Sequence, residues 1–128
     1  MAKVLGLGGL FFKTADAPAL RAWYLRVLGL EIGDWGAFFN LKDAAEKPGA
    51  GVVFSPFKAD TDYFAPSAKD YMFNLLVDDM DGMLARAKAE GVTPIKQTEE
   101  SYGRFAHIMD PEGRKIELWE PKAAPEPA

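Results

Sequence analysis

The chain repeats the same order of local signals in its two halves. Asp16 and Asp78 are placed to cap the start of a helix, and Gly29 and Gly91 to end it; both pairs are 62 residues apart. Each intervening stretch has apolar residues at helical spacing: Leu20, Trp23, Tyr24, Val27 and Leu28 in one, and Met80, Met83, Leu84 and Ala87 in the other. We interpret this as an internal duplication, since a recurring module must bury its apolar face against its copy. The alternative is that two amphipathic helices share this spacing by chance.

Each helix is preceded by one predicted strand and followed by three. The predicted strands are 4–14, 30–34, 36–42 and 51–57 in the first half, and 71–77, 92–96, 102–109 and 114–120 in the second. The pattern predicts an α+β fold in which two paired βαβββ modules form an incomplete barrel around a cleft. A single domain is expected over 1–122, with modules at about 4–57 and 70–121 and a flexible tail at 123–128.

Two counts exclude much of the usual catalytic chemistry. The chain has no cysteine and one histidine, His107, so thiol nucleophiles, zinc fingers and multi-histidine zinc sites are excluded. A net charge of −4 disfavours a nucleic-acid partner. No apolar run approaches the roughly 18 residues of a membrane span, and the N-terminus lacks a signal-peptide layout. We therefore expect a cytoplasmic protein with no membrane partner.

A tight turn at 110–113 (DPEG) predicts the register of a hairpin. If Asp110 and Arg114 close the turn, one sheet face pairs Ile108 with Ile116 and Ala106 with Leu118. The other face then pairs Met109 with Lys115, His107 with Glu117 and Phe105 with Trp119. The only histidine is thus predicted to lie beside a carboxylate and between aromatic side chains.

His107 and Glu117 are the candidate catalytic residues, because a carboxylate stabilises an imidazolium and the two groups make a usable acid/base pair. The alternative is a structural hydrogen bond in a partly buried cup. Period-2 alternation adds further residues to the same cleft. The candidate ligand-binding residues are Phe11, Lys13, Met72, Asn74, Phe105 and Trp119.

Three segments resemble a known family: LRAWYLRVLGLE, LLVDDMDGML and, most specifically, YGRFAHIMDPEGRKIELWEP at 102–121. They are similar to the glyoxalase/bleomycin-resistance/dioxygenase group, the vicinal oxygen chelate superfamily, over about residues 6–121. The resemblance implies the two-module fold, a small-molecule ligand and a homodimer. In the metalloenzymes of this group a divalent ion is bound by four side chains, one from each of four strands, so the resemblance implies four positions at which to look for metal ligands.

This sequence departs from that ligand set. Gly9 and Met72 stand at the first and third ligand positions, the strand at 51–57 has no carboxylate, and only Glu117 is retained. No cofactor is therefore expected, and a divalent metal is disfavoured. We predict a protein that binds or sequesters a small aromatic or cationic molecule. The alternatives are a lyase- or isomerase-type enzyme using His107 and Glu117, with or without a metal, and a structural dimer with a vestigial cleft.

Overall fold

A computed structural model describes residues 1–123 of the chain. Its helices and strands, in chain order, are α1 (Ala17–Leu28), α2 (Leu41–Ala45), β1 (Phe73–Leu76), α3 (Met80–Ala89), β2 (Lys96–Glu100), β3 (Gly103–Met109) and β4 (Lys115–Pro121). The predicted tail lies outside the described residues except for Ala123. No helix within the described range is long and apolar enough to span a membrane.

The α1 helix begins and ends where the sequence predicts. The Asp16 carboxylate accepts a hydrogen bond from the backbone N–H of Ala19 at 3.1 Å, which satisfies one of the donors left free at the helix start. Gly29 adopts the left-handed conformation at φ 69° and closes the other end. Both signals are local, so they act without help from the rest of the fold.

The four strands form one open sheet in the order β1–β4–β3–β2. β1 runs parallel to β4, and the other neighbours are antiparallel. The predicted hairpin register is confirmed, with His107 opposite Glu117, Phe105 opposite Trp119 and Ile108 opposite Ile116. A one-residue slip would have put the apolar set on the wrong face.

The core lies between one face of this sheet and the two longer helices. From the sheet it contains Phe73, Ala106, Ile108, Ile116 and Leu118, and from α1 and α3 it contains Leu20, Tyr24, Val27, Met80 and Ala87. Packing on this side leaves the opposite face of the sheet open. That open face carries His107 and Glu117.

The α+β class and the unclosed sheet are confirmed, and residues 73–121 have the predicted order of strand, helix and three strands. The strands predicted at 4–14, 30–34, 36–42 and 51–57 are wrong as assignments within the described structure: no strand forms there. A strand needs a hydrogen-bonded neighbour, and these segments have none beyond one bridge between Gly33 and Gly36.

Three smaller boundaries also differ from prediction. Residues 41–45 form the short helix α2, because Asn40 accepts from the N–H of Lys42 and starts a helical turn. The cap of α3 is Asp79 rather than Asp78, since it is Asp79 that accepts from Gly82 at 3.1 Å. The strand predicted at 92–96 is wrong except at Lys96, since β2 comprises Lys96–Glu100 and follows Pro94, whose ring nitrogen has no hydrogen to donate to a ladder.

Candidate functional site

The centre of the open sheet face is the contact between His107 and Glu117. The register of β3 and β4 sets the two residues side by side, and His107 Nε2 lies 2.7 Å from Glu117 Oε2. The His107 side chain is 4% exposed and that of Glu117 is 12% exposed. The pair therefore lies in a largely water-excluded position, where hydrogen bonds have more effect than at the surface.

Glu117 accepts hydrogen bonds from three side chains. Besides His107, the hydroxyl of Tyr63 donates to Oε2 at 2.5 Å and the amide of Asn74 donates to Oε1 at 2.8 Å. Burial alone would raise the pKa of the Glu117 carboxyl, but the three donors outweigh it and hold the pKa below its ordinary value. Glu117 is thus an anion fixed in place by its neighbours.

The same contact fixes the tautomer of His107. An ionised carboxylate only accepts hydrogen bonds, so Nε2 of His107 must be the donor. In the neutral imidazole, Nδ1 then carries the lone pair. Nδ1 is buried and has no hydrogen-bond partner among residues 1–123. The site therefore contains one basic nitrogen whose hydrogen-bonding capacity is unused.

A segment outside the sheet covers one side of this pair. We call residues 57–64 the strap. Its Tyr63 ring meets the His107 ring edge-on at 5.6 Å, and Phe57 and Phe64 pack against each other at 5.1 Å. Lys115 Nζ donates to the Tyr63 carbonyl at 2.5 Å. Burial lowers the pKa of Lys115, and burial with the Glu117 contact raises the pKa of the Tyr63 phenol, which stays protonated as a donor.

The open sheet face carries a polar row and, next to it, an apolar row. The polar row consists of His107 on β3, Glu117 on β4 and Asn74 on β1. The next side chains on the same face of these strands form the apolar row: Phe105, Trp119 and Leu76. The rings of Phe105 and Trp119 are nearly parallel, with 6.1 Å between their centroids. Pockets suited to small molecules combine aromatic walls with a few polar groups in this way.

The structure thus brings together five of the eight predicted site residues, namely Asn74, Phe105, His107, Glu117 and Trp119. It does not bring Phe11 to this face: the side chain is 94% exposed on the unpaired N-terminal segment. The contact of Lys13 is a backbone one, from its carbonyl to the buried Arg114 guanidinium at 2.6 Å. Met72 lies just before β1 and is half-buried. The predicted cleft positions of Phe11 and Lys13 required a first-half strand, and that strand does not form.

Two residues at the site, Tyr63 and Lys115, were not among the candidate catalytic or ligand-binding residues. Tyr63 lies in a segment without periodicity, so no sequence signal gave the direction of its side chain. Lys115 is two residues before Glu117 on β4 and therefore shares its face; the predicted register contained that information.

These side chains do not fit a divalent metal site. A metal ion bound by Glu117 would need further lone-pair ligands around it, but the carboxylate is surrounded by three hydrogen-bond donors. Nε2 of His107 is one of these donors and so has no lone pair for a metal. Within residues 1–123, no group of three or more His, Cys, Asp or Glu side chains is placed to hold a metal. The donor set instead stabilises the carboxylate as an anion by hydrogen bonding.

A glyoxalase-like domain family matches residues 9–119, which is most of the chain. The chain belongs to this family. This membership confirms the family resemblance that the segment 102–121 predicts. Within this glyoxalase-like domain, Glu117 is the acidic residue of the IEL segment.

Solved structures share the glyoxalase-like fold at low sequence identity. A protein from the mobile metagenome of V. pseudocholerae has a TM-score of 0.60 at 19% identity, with 94% of this chain and 97% of that chain covered. TnmS3, an antibiotic binding protein from Streptomyces sp. CB03234, has a TM-score of 0.50 at 23% identity, with 84% and 88% covered. A glyoxalase/bleomycin resistance protein from the same strain has a TM-score of 0.51 at 24% identity, with 83% and 92% covered. No curated protein gives a significant match.

Proposed function

We propose that this chain is a cytoplasmic small-molecule binding protein whose ligand lies on the open face of the sheet. The observation that carries the proposal is the apolar row of Phe105, Trp119 and Leu76 directly beside the polar row that contains Glu117. An aromatic part of the ligand packs against Phe105 and Trp119, and Glu117 fixes its orientation. TnmS3, which shares the fold, is an antibiotic binding protein, and that is consistent with sequestration as the role.

Binding in this proposal requires no metal. Tyr63, His107 and Asn74 already supply the donors that satisfy the Glu117 carboxylate. An added divalent ion would have to displace at least one of them and would gain one carboxylate ligand. Ligand affinity should therefore be the same before and after exhaustive treatment with EDTA.

The binding unit we propose is a homodimer. Large apolar side chains of the first half are exposed in the single chain, among them Val4, Phe11, Trp35, Phe38, Val53 and Phe54. Exposed apolar area of this extent marks an association surface. A second copy of the chain is the partner because the unpaired segments 4–14 and 51–57 have the strand composition of the module to which they belong.

Tryptophan fluorescence tests the location of the ligand. A panel of small aromatic compounds, including amines and their neutral analogues, is titrated into the wild-type protein, Trp119→Phe and the matched control Trp23→Phe, whose indole packs beside Tyr24 on α1. We expect saturable quenching that survives in Trp23→Phe and is lost in Trp119→Phe. Quenching that instead depends on Trp23 would contradict a ligand site at Trp119.

The second candidate function is a lyase- or isomerase-type enzyme. The observation that favours it is the buried, unpartnered Nδ1 of His107, because a general base needs an imidazole nitrogen whose lone pair is unused. General-base catalysis typically contributes about 10²–10⁴-fold. An enzyme would convert a bound compound, and His107→Gln would lower the rate by that factor while retaining binding. A ligand recovered unchanged after prolonged incubation supports the binding function.

A further inference from the structure

Glu117 has one hydrogen-bond acceptor position left. A carboxylate offers about four lone-pair positions over its two oxygens. Tyr63 and His107 both donate to Oε2, and Asn74 donates to Oε1. The remaining position is on Oε1, the oxygen that accepts from Asn74 on the edge strand β1.

Asn74 supplies a second acceptor beside it. Since its Nδ2 must be the atom that donates to the carboxylate, the amide oxygen Oδ1 is turned away from Glu117. Asn74 is exposed, and no group within residues 1–123 donates to its Oδ1. Asn74 and Glu117 are directly opposite each other in the β1–β4 register, so the two acceptors are neighbours.

The nearest cation on this face is committed elsewhere. Lys115 donates to the Tyr63 carbonyl and lies over the Tyr63 ring at 4.9 Å, on the strap side of Glu117. Its ammonium forms no ion pair with Glu117 within residues 1–123, although its charge acts on that carboxylate through space. The free acceptors therefore form an anionic position to which no cation of the described residues is hydrogen-bonded.

The spacing between Glu117 and the apolar row sets the distance between the charged group and the ring of the ligand. Glu117 and Trp119 are two residues apart on β4, and successive side chains on one face of a strand are about 7 Å apart. A ring on Trp119 and a charged nitrogen at Glu117 must be separated by a spacer of about one or two carbons. Phenethylamine, protonated at neutral pH, has this geometry.

We propose that the ligand class of this site is a primary arylalkylammonium, with its N–H groups donating to Glu117 Oε1 and Asn74 Oδ1 and its ring on Phe105 and Trp119. The inference depends on the proposed binding function and adds the charge, the donor group and the specificity-determining residue, Asn74. A neutral aromatic molecule of the same shape fills the aromatic row but leaves the anionic position without a counter-charge.

The test compares phenethylamine with 2-phenylethanol, its neutral analogue. The probes are titrated at pH 7 into ¹⁵N-labelled protein, and the Trp119 indole resonance, assigned with Trp119→Phe, is followed. We expect the amine to bind at least about tenfold more tightly than the alcohol, as is typical of a charge-assisted hydrogen bond. In Asn74→Leu this preference should fall severalfold. Thr98→Val, a matched loss of a polar group on the same sheet face opposite Phe105, should retain it.

Each outcome separates the two proposals. Equal affinity for the two probes with a saturable Trp119 shift overturns the ammonium inference and leaves the binding function standing. No saturable Trp119 shift with either probe overturns both. An amine preference that persists in Asn74→Leu overturns the role of Asn74. Because the wild-type comparison needs no variant, the inference stays testable if Asn74→Leu does not fold.

Discussion

Glu117 holds the polar side chains of the open face in place, because three of them donate hydrogen bonds to its carboxylate. Glu117→Gln keeps the shape but presents an amide N–H₂ to groups that are themselves donors. We expect it to lower the free energy of unfolding at pH 7 by about 1–3 kcal/mol. Glu100→Gln, the same change on exposed β2, should cost under about 0.5 kcal/mol. Urea denaturation measures the free energy of unfolding of both variants. Equally small losses in the two would contradict a stabilising role for the hydrogen bonds to Glu117.

The same residue predicts a pH dependence. The pKa of Glu117 is lowered in the folded chain, where its three donors outweigh burial. A lowered carboxyl pKa contributes stability that is present above the unfolded-state pKa and is lost as pH falls through the folded-state pKa. The stability difference between wild type and Glu117→Gln should therefore shrink as pH falls from about 5 to 3. Denaturation at a series of pH values measures it; a difference that grows on acidification would contradict the assignment.

Arg114 is the buried cation that joins the two halves. It is 1% exposed and donates to the Asp110 carboxylate at 3.1 Å, the Tyr71 hydroxyl at 3.0 Å and the Lys13 carbonyl at 2.6 Å. Arg114→Met leaves a buried carboxylate without its counter-ion, which typically costs about 3–5 kcal/mol. Arg26→Met, at an exposed ion pair, should cost under about 1 kcal/mol. Similar urea midpoints for the two variants would show that the Arg114 cluster contributes little.

Among the elements, the β3–β4 hairpin was the most predictable because its determinants are local. Asp110, Pro111 and Gly113 specify the turn, and the alternation of apolar residues on either side specifies the register. That register predicted the contact of His107 with Glu117, and the structure places their atoms 2.7 Å apart. The caps of α1 were predictable for the same reason.

The strands of the first half were not correctly predicted, since a strand is defined by its neighbour. Segments 4–14 and 51–57 have strand-like composition, but apolar composition does not specify a partner. The position of Tyr63 was unpredictable for a related reason: it follows from where the strap lies over the sheet, which no periodicity in 57–64 encodes. Sequence therefore predicted the two sheet residues at the centre of the site and not the loop residue that covers them.

Gly103, at the start of β3, allows Trp119 to lie flat against the sheet. A Cβ at this position would be 2.8 Å from the Glu120 carbonyl oxygen and in collision with the Trp119 indole. Gly103→Ala should therefore displace the indole and weaken aromatic ligands by about tenfold, with a changed near-ultraviolet circular dichroism spectrum. Ser101→Ala, at an exposed residue two positions before Gly103, is the control. Unchanged affinity in Gly103→Ala would exclude Trp119 from the binding surface.

At the scale of the whole molecule, the exposed apolar side chains of the first half predict self-association. Phe54 is 86% exposed in the single chain. Light scattering with size-exclusion chromatography should give the mass of a dimer for the wild type. Phe54→Glu should weaken the dimer by at least about tenfold, because a buried unpaired carboxylate is costly. Lys58→Glu, an added acid on a nearby exposed residue, should retain it; a monomeric wild type at all concentrations would contradict the proposal.

The proposed function requires that a small aromatic molecule binds on the open sheet face, at Trp119 and Glu117. The most direct measurement is an ¹⁵N–¹H NMR titration of the wild-type protein with phenethylamine, mapping every shifted resonance onto the sheet. We expect saturable shifts centred on the Trp119 indole and the backbone amides of Phe105, His107 and Glu117. Saturable shifts confined to another surface, or none at these four positions, would contradict it.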